Sequence, residues 1–190
     1  MTAPLKAYVD QFVKLSDAEM EAFFLATRSK KLKKKELLIK EGDVCSFIGF
    51  FTEGYFRFYY TDVNGHEVTS DFHFAPGFIT SYTSFLTQSP SRTNVQAMED
   101  MDVLQISQTN LYDLYAKHHR IETLGRLMAE HVFITSETHL LMILSQTAET
   151  RYRILLDKYP GFINKIPLQY IASYLGITQE TLSRIRKSIY

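Results

Sequence analysis

The chain has 190 residues, of which 45% are hydrophobic, and its 21 basic and 21 acidic side chains give a formal net charge of zero. This length predicts one large domain or two small ones with a proper core. The single cysteine, Cys45, excludes an internal disulfide and any four-cysteine zinc or iron–sulfur site. No stretch approaches the roughly 20 apolar residues that cross a bilayer, and no secretory signal is recognisable. We therefore expect a cytoplasmic protein without a membrane partner.

The charges are unevenly distributed along the chain. From Ala148 onward there are seven basic and three acidic residues, a net charge of +4, so the preceding part carries −4. A neutral protein is by itself a poor candidate for nucleic-acid binding. A basic end on an acidic body is nevertheless typical of a phosphate-contacting module joined to another domain.

Residues 5–27 have the apolar spacing of helical structure. Ser16 is followed three residues later by Glu19, a capping box that predicts a helix start at Asp17. Five lysines then crowd positions 30–35. They could form a phosphate-binding patch, but a solvated run leading into a strand is the favoured interpretation.

From residue 36 to residue 107 the pattern changes to short aromatic and β-branched runs separated by turn residues. Asn64-Gly65 between two alternating runs is a strong hairpin signal, because both residue types tolerate positive φ. Short strands at regular spacing are typical of an antiparallel barrel or roll. The candidate strands are 36–40, 47–52, 56–61, 67–73, 78–81, 92–97 and 102–106.

The next segment, to about residue 146, has no proline and a single glycine, Gly125. It predicts a short helix at 110–116 and a long one from about Ile121. A helix of about 24 residues is roughly 36 Å long, which favours pairing with a second copy over merely covering the barrel. The predicted pairing face comprises Ile121, Leu124, Met128, His131, Thr135, Thr138 and Met142, flanked by Leu127, Ile134 and Leu141. A further helix at 148–159 is expected to end at Pro160-Gly161.

The last 25 residues predict a helix, a tight turn and a second helix. Gly176 is placed where a helix ends on a left-handed residue, and Thr178 can cap the helix that follows. The apolar residues Leu168, Ile171, Ala172 and Leu175 would form the buried face of the first helix, and Leu182, Ile185 and Ile189 that of the second.

The other faces of this second helix are polar and basic. A helix-turn-helix inserts such a helix into the DNA major groove, where arginine can bind guanine, glutamine adenine, and glutamate the cytosine amino group. The alternative is an ordinary helical hairpin that packs on a core. The polar and basic residues are Gln179, Glu180, Ser183, Arg184, Arg186 and Lys187.

The whole order of elements resembles the CRP/FNR family of bacterial regulators. The similarity rests on Lys40-Glu41-Gly42-Asp43, Glu53-Gly54, Asn64-Gly65 and Pro76-Gly77-Phe78, and on the run from Ile177 to Ile185. It implies an α+β fold with an N-terminal antiparallel, jelly-roll-like β-roll flanked by helices, a long dimerisation helix and a C-terminal helix-turn-helix. The implied domains are a cyclic-nucleotide-binding-like sensor at 1–118, the dimerisation helix at 119–146 and the DNA-binding domain at 147–190.

The resemblance also implies roles for residues of the second helix. Gln179, Glu180 and Arg184 occupy the family's base-reading positions. The implied function is a sequence-specific transcription regulator that binds double-stranded DNA as a homodimer, with RNA polymerase as a further partner. The full set of expected DNA-binding residues is Thr178, Gln179, Glu180, Ser183, Arg184 and Lys187.

The resemblance is weaker at the nucleotide site. Arg92-Thr93 matches the family's phosphate-binding pair, but Thr80-Ser81 replaces its Gly-Glu pair, whose glutamate accepts from the ribose hydroxyl. Leaving that hydroxyl poorly paired would cost on the order of 1–3 kcal/mol. A cyclic nucleotide, another small anionic ligand and an empty pocket therefore all remain open. The candidate ligand-binding residues are Ser81, Tyr82, Arg92, Thr93, Thr135 and Ser136.

No enzyme or metal site is expected. The six histidines show no HExxH or comparable ligand spacing, and no phosphate-binding glycine loop or nucleophile motif is present. The alternative function is a small-molecule-sensing or protein-interaction module that does not bind DNA. The sequence stops at Tyr190, and without a following β-hairpin we expect fewer contacts to the DNA backbone.

Overall fold

A computed structural model describes residues 2–189 of the chain. Tyr190, the last residue of the expected DNA-binding domain, lies outside the described residues. The predicted α+β fold, an antiparallel β-roll flanked by helices, is confirmed, whereas the domain boundaries stay predictions.

The N-terminal segment folds as two helices, α1 (Thr2–Val9) and α2 (Asp17–Leu25). The predicted capping box is present, since Ser16 Oγ accepts from the Glu19 N–H at 3.3 Å and Glu19 Oε2 accepts from the Ser16 N–H at 2.8 Å. The helix therefore starts at Asp17 as expected. The prediction of helical structure across 5–27 is wrong at its end, because Thr27 already belongs to a strand.

Eight strands form two four-stranded sheets with the orders β1-β8-β3-β6 and β2-β7-β4-β5. All of the strand pairings are antiparallel. The strands are β1 (Thr27–Leu32), β2 (Leu37–Ile39), β3 (Phe47–Phe51), β4 (Tyr55–Thr61), β5 (Glu67–Phe74), β6 (Gly77–Ile79), β7 (Asn94–Ala97) and β8 (Met101–Ser107).

Strand β1 was not among the predicted strands. The lysine cluster begins inside it rather than before a strand, since Lys30 pairs with Val103 and Lys31 with Asp102. β1 is the edge strand of its sheet, and edge strands often carry lysines that discourage pairing with other chains. These charges conceal the alternating pattern by which strands are recognised.

The interior of the roll is filled with large apolar side chains. Phe51 and Phe56 are fully buried and pack edge to face, with ring centroids 4.9 Å apart. The predicted hairpin joins β4 to β5, and Gly65 takes a φ of +83° in its turn. The interior cluster comprises Leu32, Leu38, Ile39, Cys45, Phe51, Phe56, Phe58, Ile79, Val95, Ala97, Met101 and Val103.

Three helices follow the strands of the roll: α3 (Tyr82–Thr87), α4 (Gln108–Lys117) and α5 (His119–Ser145). α3 lies in the loop between β6 and β7 and was not predicted. The 27 residues of α5 make it about 40 Å long. Its first turns pack through Ile121 and Leu124 into a second core, which is shared by helices α1, α2 and α4 and by strands β3 and β8. Most residues after Ala129 are exposed. The beginning of the predicted pairing face therefore covers the roll.

The C-terminal segment contains α6 (Ala148–Lys158), α7 (Pro160–Ile163), α8 (Leu168–Tyr174) and α9 (Gln179–Ile189). α6 ends at Lys158, directly before Pro160 and Gly161 as predicted, and a separate short helix that was not predicted starts at Pro160. Leu168 is 39% exposed and Ile166 is 4% exposed, so the expectation that Leu168 belongs to the buried face is wrong. Leu168 is the first residue of α8, and Ile166, just before the helix, fills the core instead.

The C-terminal helices pack against the outer face of β4 and β5. This makes β4 a strand buried on both faces, since Tyr55 to Tyr59 are all buried. Phe56 and Phe58 point into the roll, and Tyr55 joins the C-terminal core. That core comprises Tyr55, Phe72, Met98, Tyr152, Leu155, Ile163, Ile166, Ile171, Ala172, Leu175 and Leu182.

Candidate nucleic-acid interface and sensor site

The turn between α8 and α9 fixes the geometry of the candidate DNA-binding element. Gly176 has a φ of +66°, and its N–H donates to the Ser173 carbonyl at 3.0 Å, while the Ile177 N–H donates to the Ala172 carbonyl at 3.0 Å. This pair of bonds is a Schellman motif. Thr178 Oγ1 accepts from the Thr181 N–H at 3.2 Å and caps α9 as predicted.

One face of α9 is buried and the other is open. Leu182 is fully buried, while Ile185 and Ile189 pack partly against the same core. The expected DNA-binding residues all lie on the open side, in the cap and in the turns that follow it. The exposed residues are Thr178, Gln179, Glu180, Ser183, Arg184 and Lys187.

The first turns of α9 carry a carboxylate and a guanidinium on this face. The pKa of Glu180 is lowered, first by a hydrogen bond from its own backbone N–H, then by the Thr178 hydroxyl and by the charge of Arg184. Arg184 Nη2 also donates to Thr181 Oγ1 at 3.1 Å. Glu180 can accept and Arg184 can donate hydrogen bonds on this open face, which is the chemistry that base-edge recognition uses.

The C-terminal half of α5 exposes a large apolar surface. Phe133 and Leu140 are seven residues apart, as are Ile134 and Leu141, which is the repeat of a pairing helix. Phe133 is 69% exposed and Leu144 is 74% exposed. Most of this surface lies beside the predicted pairing face, whose polar members Thr135 and Thr138 bond their hydroxyls back to helix carbonyls.

The six candidate ligand-binding residues do not converge on one site. Arg92 and Thr93 line a cavity of about 770 Å³ together with Glu41 and Tyr60. Tyr82, Thr135 and Ser136 line a different groove of about 1080 Å³ along α5. Ser81 is buried and lies in neither cavity.

The hydroxyls that replace the family's Gly-Glu pair are already used inside the protein. Ser81 Oγ accepts from Ser91 Oγ at 2.9 Å, and Thr80 Oγ1 donates to the Phe47 carbonyl at 2.9 Å. Glu41 lines the cavity of Arg92, and its carboxylate would oppose a phosphate there. The residues therefore do not fit a cyclic nucleotide held as the family holds it.

Two arginines that the sequence did not single out join the parts of the chain. Arg57 lies buried between β4 and α8, and Arg151 donates to carbonyl groups at the ends of α5 and α8. Neither residue belongs to a motif, and their partners are distant in sequence or are backbone atoms. Only the aromatic run of β4, in which large apolar residues flank Arg57 on both sides without polar alternation, could have suggested that a second layer covers this strand.

Two negative findings concern residues 2–189 only. No helix among them is long and apolar enough to cross a membrane. Their histidine, cysteine and acidic side chains form no group of three that could hold a metal ion.

Comparison with known proteins identifies the domain and its relatives. Residues 29–118 match the cyclic nucleotide-binding domain family. The anaerobic regulatory protein of Haemophilus influenzae is 28% identical over 178 residues, which cover 83% of this chain and 65% of the relative. The chain thus spans just under two thirds of the length of that relative.

Solved structures confirm the fold. FixK2 from Bradyrhizobium japonicum superposes with a TM-score of 0.71 at 19% identity, covering 86% of this chain and 84% of FixK2. The c-di-GMP responsive global regulator CLP of Xanthomonas campestris superposes with a TM-score of 0.70 at 12% identity, covering 92% of this chain and 91% of CLP. Together with the domain and the relative, these matches confirm the resemblance to the CRP/FNR family.

Proposed function

We propose that this chain, whose domain, relatives and fold are of the CRP/FNR type, is a sequence-specific DNA-binding transcription regulator. The observation that carries the proposal is the open polar face of α9, held on a capped helix after a Schellman turn. A buried or apolar second helix would have argued for a packing hairpin. The relative's name, anaerobic regulatory protein, supports the same reading.

Base recognition is assigned to three residues of α9. Gln179 would bind adenine, Glu180 would accept from a cytosine amino group, and Arg184 would bind guanine. The cap Thr178 and the exposed Ser183 and Lys187 lie where contacts to phosphates orient such a helix.

The regulator would act as a homodimer through α5. Its exposed face, with Phe133, Ile134, Leu140, Leu141 and Leu144, is too apolar to remain in water over several turns of helix. Pairing two copies of α5 would also set the distance between two recognition helices. RNA polymerase is a further proposed partner, carried by the family resemblance alone.

The signal at the roll is proposed to differ from ordinary cyclic AMP. The hydroxyls of Thr80 and Ser81 already form hydrogen bonds within the protein, and the carboxylate of Glu41 would repel a phosphate beside Arg92. Both observations support this proposal. A signal of any chemistry would act by changing the population of dimers whose recognition helices fit the DNA.

Selection of bound duplexes from a random-sequence pool tests this proposal, done with and without cyclic AMP and followed by a salt titration. We expect a pseudo-palindromic sequence with half-sites about one helical turn apart, a negative dependence of log affinity on log salt and no effect of cyclic AMP. If no duplex is bound even at low salt, the alternative of a sensing or interaction module without DNA binding takes its place.

A further inference from the structure

Arg57 occupies an unusual place for an arginine. It lies in the middle of β4, is 1% exposed and is the largest of the fully buried side chains. Its neighbours Phe56 and Phe58 belong to the interior of the roll. Since side chains alternate along a strand, Arg57 points away from that interior, towards the layer of C-terminal helices.

Each side of its guanidinium group has a defined partner. Nε donates to Thr69 Oγ1 at 2.8 Å, and Nη1 donates to Glu67 Oε2 at 2.6 Å. The guanidinium carbon lies 4.4 Å from the ring centroid of Tyr59 and 3.8 Å from that of Tyr170. Three of these partners, Thr69, Glu67 and Tyr59, belong to the roll, whereas Tyr170 belongs to α8.

A second polar contact lies one helical turn further along α8. The Thr69 N–H donates to Ser173 Oγ at 2.8 Å. The Thr69 N–H is directed out of the sheet at the point where the register of β4 against β5 shifts, between Phe58 and Tyr59. Thr69 thus contacts Arg57 through its hydroxyl and α8 through its backbone.

These contacts fix an orientation rather than simply adding contact area. Apolar surfaces can slide over one another, but a planar guanidinium with two fixed hydrogen bonds offers its face in one place only. A desolvated cation over a ring is also worth more than an exposed one. α8 is in turn tied to α9 by the Schellman turn and by Leu182.

We infer that Arg57 is a positioning residue for DNA binding, which seats α8 on β4 and thereby sets the direction of the α9 recognition face. This inference rests on the proposed function. Arg57 contacts no DNA itself in this scheme. Its effect passes through Tyr170 to the helix-turn-helix.

Hydrogen–deuterium exchange of the full chain without DNA tests the seating directly. Four proteins are compared: wild type, Arg57→Met, Tyr170→Leu and Tyr170→Phe. We expect amides of α8 and α9 to exchange roughly 5- to 30-fold faster in Arg57→Met and Tyr170→Leu, the factor that a cation–π contact of this kind implies. Amides of β3 and β8 should keep their wild-type rates, and Tyr170→Phe, which retains the ring, should resemble wild type.

DNA affinity supplies the second readout. Arg57→Met and Tyr170→Leu should bind the selected duplex more weakly by a similar factor, with the salt dependence unchanged because no phosphate contact is lost. Wild-type exchange in α8, faster exchange throughout both sheets, tighter DNA binding or a reduced salt slope would each overturn the inference. A wild-type chain that binds no DNA contradicts the proposed function, and the exchange rates still decide whether Arg57 seats α8.

Discussion

Arg151 donates a hydrogen bond of 2.7 Å from Nη2 to the backbone carbonyl of Leu175. Leu175 is the C-terminal cap of α8, and Nη1 of the same side chain donates to the carbonyls of Ile143 and Gln146 at the end of α5, each at 3.0 Å. A cation is stabilised at helix C-termini, and here one guanidinium serves two of them. Arg151 therefore connects the proposed dimer helix to the first helix of the helix-turn-helix.

Replacing Arg151 by methionine should lower the free energy of unfolding by about 1.5–3 kcal/mol, because hydrogen bonds from a charged donor to three carbonyls are lost. Chemical denaturation measures the change. Arg153→Met is the matched control, since Arg153 makes only a surface pair with Glu149, and such pairs contribute roughly 0–1 kcal/mol. Equal effects of the two substitutions would contradict the bridging role of Arg151.

Replacing Arg184 by alanine should weaken binding to the selected DNA by about 1–3 kcal/mol and relax the preference at one base pair, if Arg184 binds guanine. Affinities for the selected duplex and for its single-base variants measure both effects. An equal loss on specific and random DNA would make Arg184 a phosphate contact instead.

Replacing Leu141 by glutamate should convert the proposed dimer to a monomer, because a carboxylate would be placed in an apolar helix pair without a partner. Sedimentation over a range of concentrations measures the state of assembly. Leu25→Glu is the control, since Leu25 is 75% exposed at the end of α2 and lies outside the proposed interface. A Leu141→Glu dimer as tight as wild type would exclude this face of α5.

The effect on stability of replacing Gly125 by alanine should depend on Tyr115, which faces Gly125. A Cβ at Gly125 would meet the hydroxyl end of Tyr115, and overpacking of this kind costs about 1–3 kcal/mol. Alanine favours the helix by roughly 1 kcal/mol relative to glycine, which offsets part of this cost. The net effect of Gly125→Ala should therefore be to lower the free energy of unfolding by up to about 2 kcal/mol. In a Tyr115→Leu background the same substitution should be stabilising. Thermal or chemical unfolding of wild type, the two single variants and the double variant measures this double-mutant cycle. If Gly125→Ala is destabilising in the Tyr115→Leu background as well, the clash is disproved.

The decrease in the free energy of unfolding at acidic pH should depend partly on Asp71. Burial acts to raise the pKa of Asp71. The hydrogen bond and charge of His73, together with the Phe72 N–H and the charge of His139, outweigh it, and the net effect is a lowered pKa. A carboxyl with a lowered folded pKa stabilises the protein above its unfolded pKa of about 3.9 and loses this contribution as the pH falls through the folded value. Asp71→Asn should therefore flatten the decrease in stability below about pH 4. Chemical denaturation at a series of pH values measures this slope, and an unchanged slope in Asp71→Asn would contradict the role of Asp71.

Elements governed by neighbouring residues were predictable. The capping box at Ser16, the turn at Gly65 and the cap at Thr178 all form as expected, because each depends on a few consecutive residues. Strand β1 was missed because its edge position permits lysines where a central strand would need apolar residues. The nucleotide cassette was predicted as one site, yet its residues line separate cavities, because sequence matching does not show which cavity a side chain faces.

The sequence by itself therefore determined the order of elements, the β-roll, the long helix and the polar face of α9, since hydrophobic periodicity and turn chemistry are local. Only the tertiary structure decided how these parts are joined. Arg57 and Tyr170 are 113 positions apart in the numbering and stand next to one another only because the C-terminal helices cover β4. Such a contact follows from the packing of two layers, and packing leaves no periodic pattern in either segment.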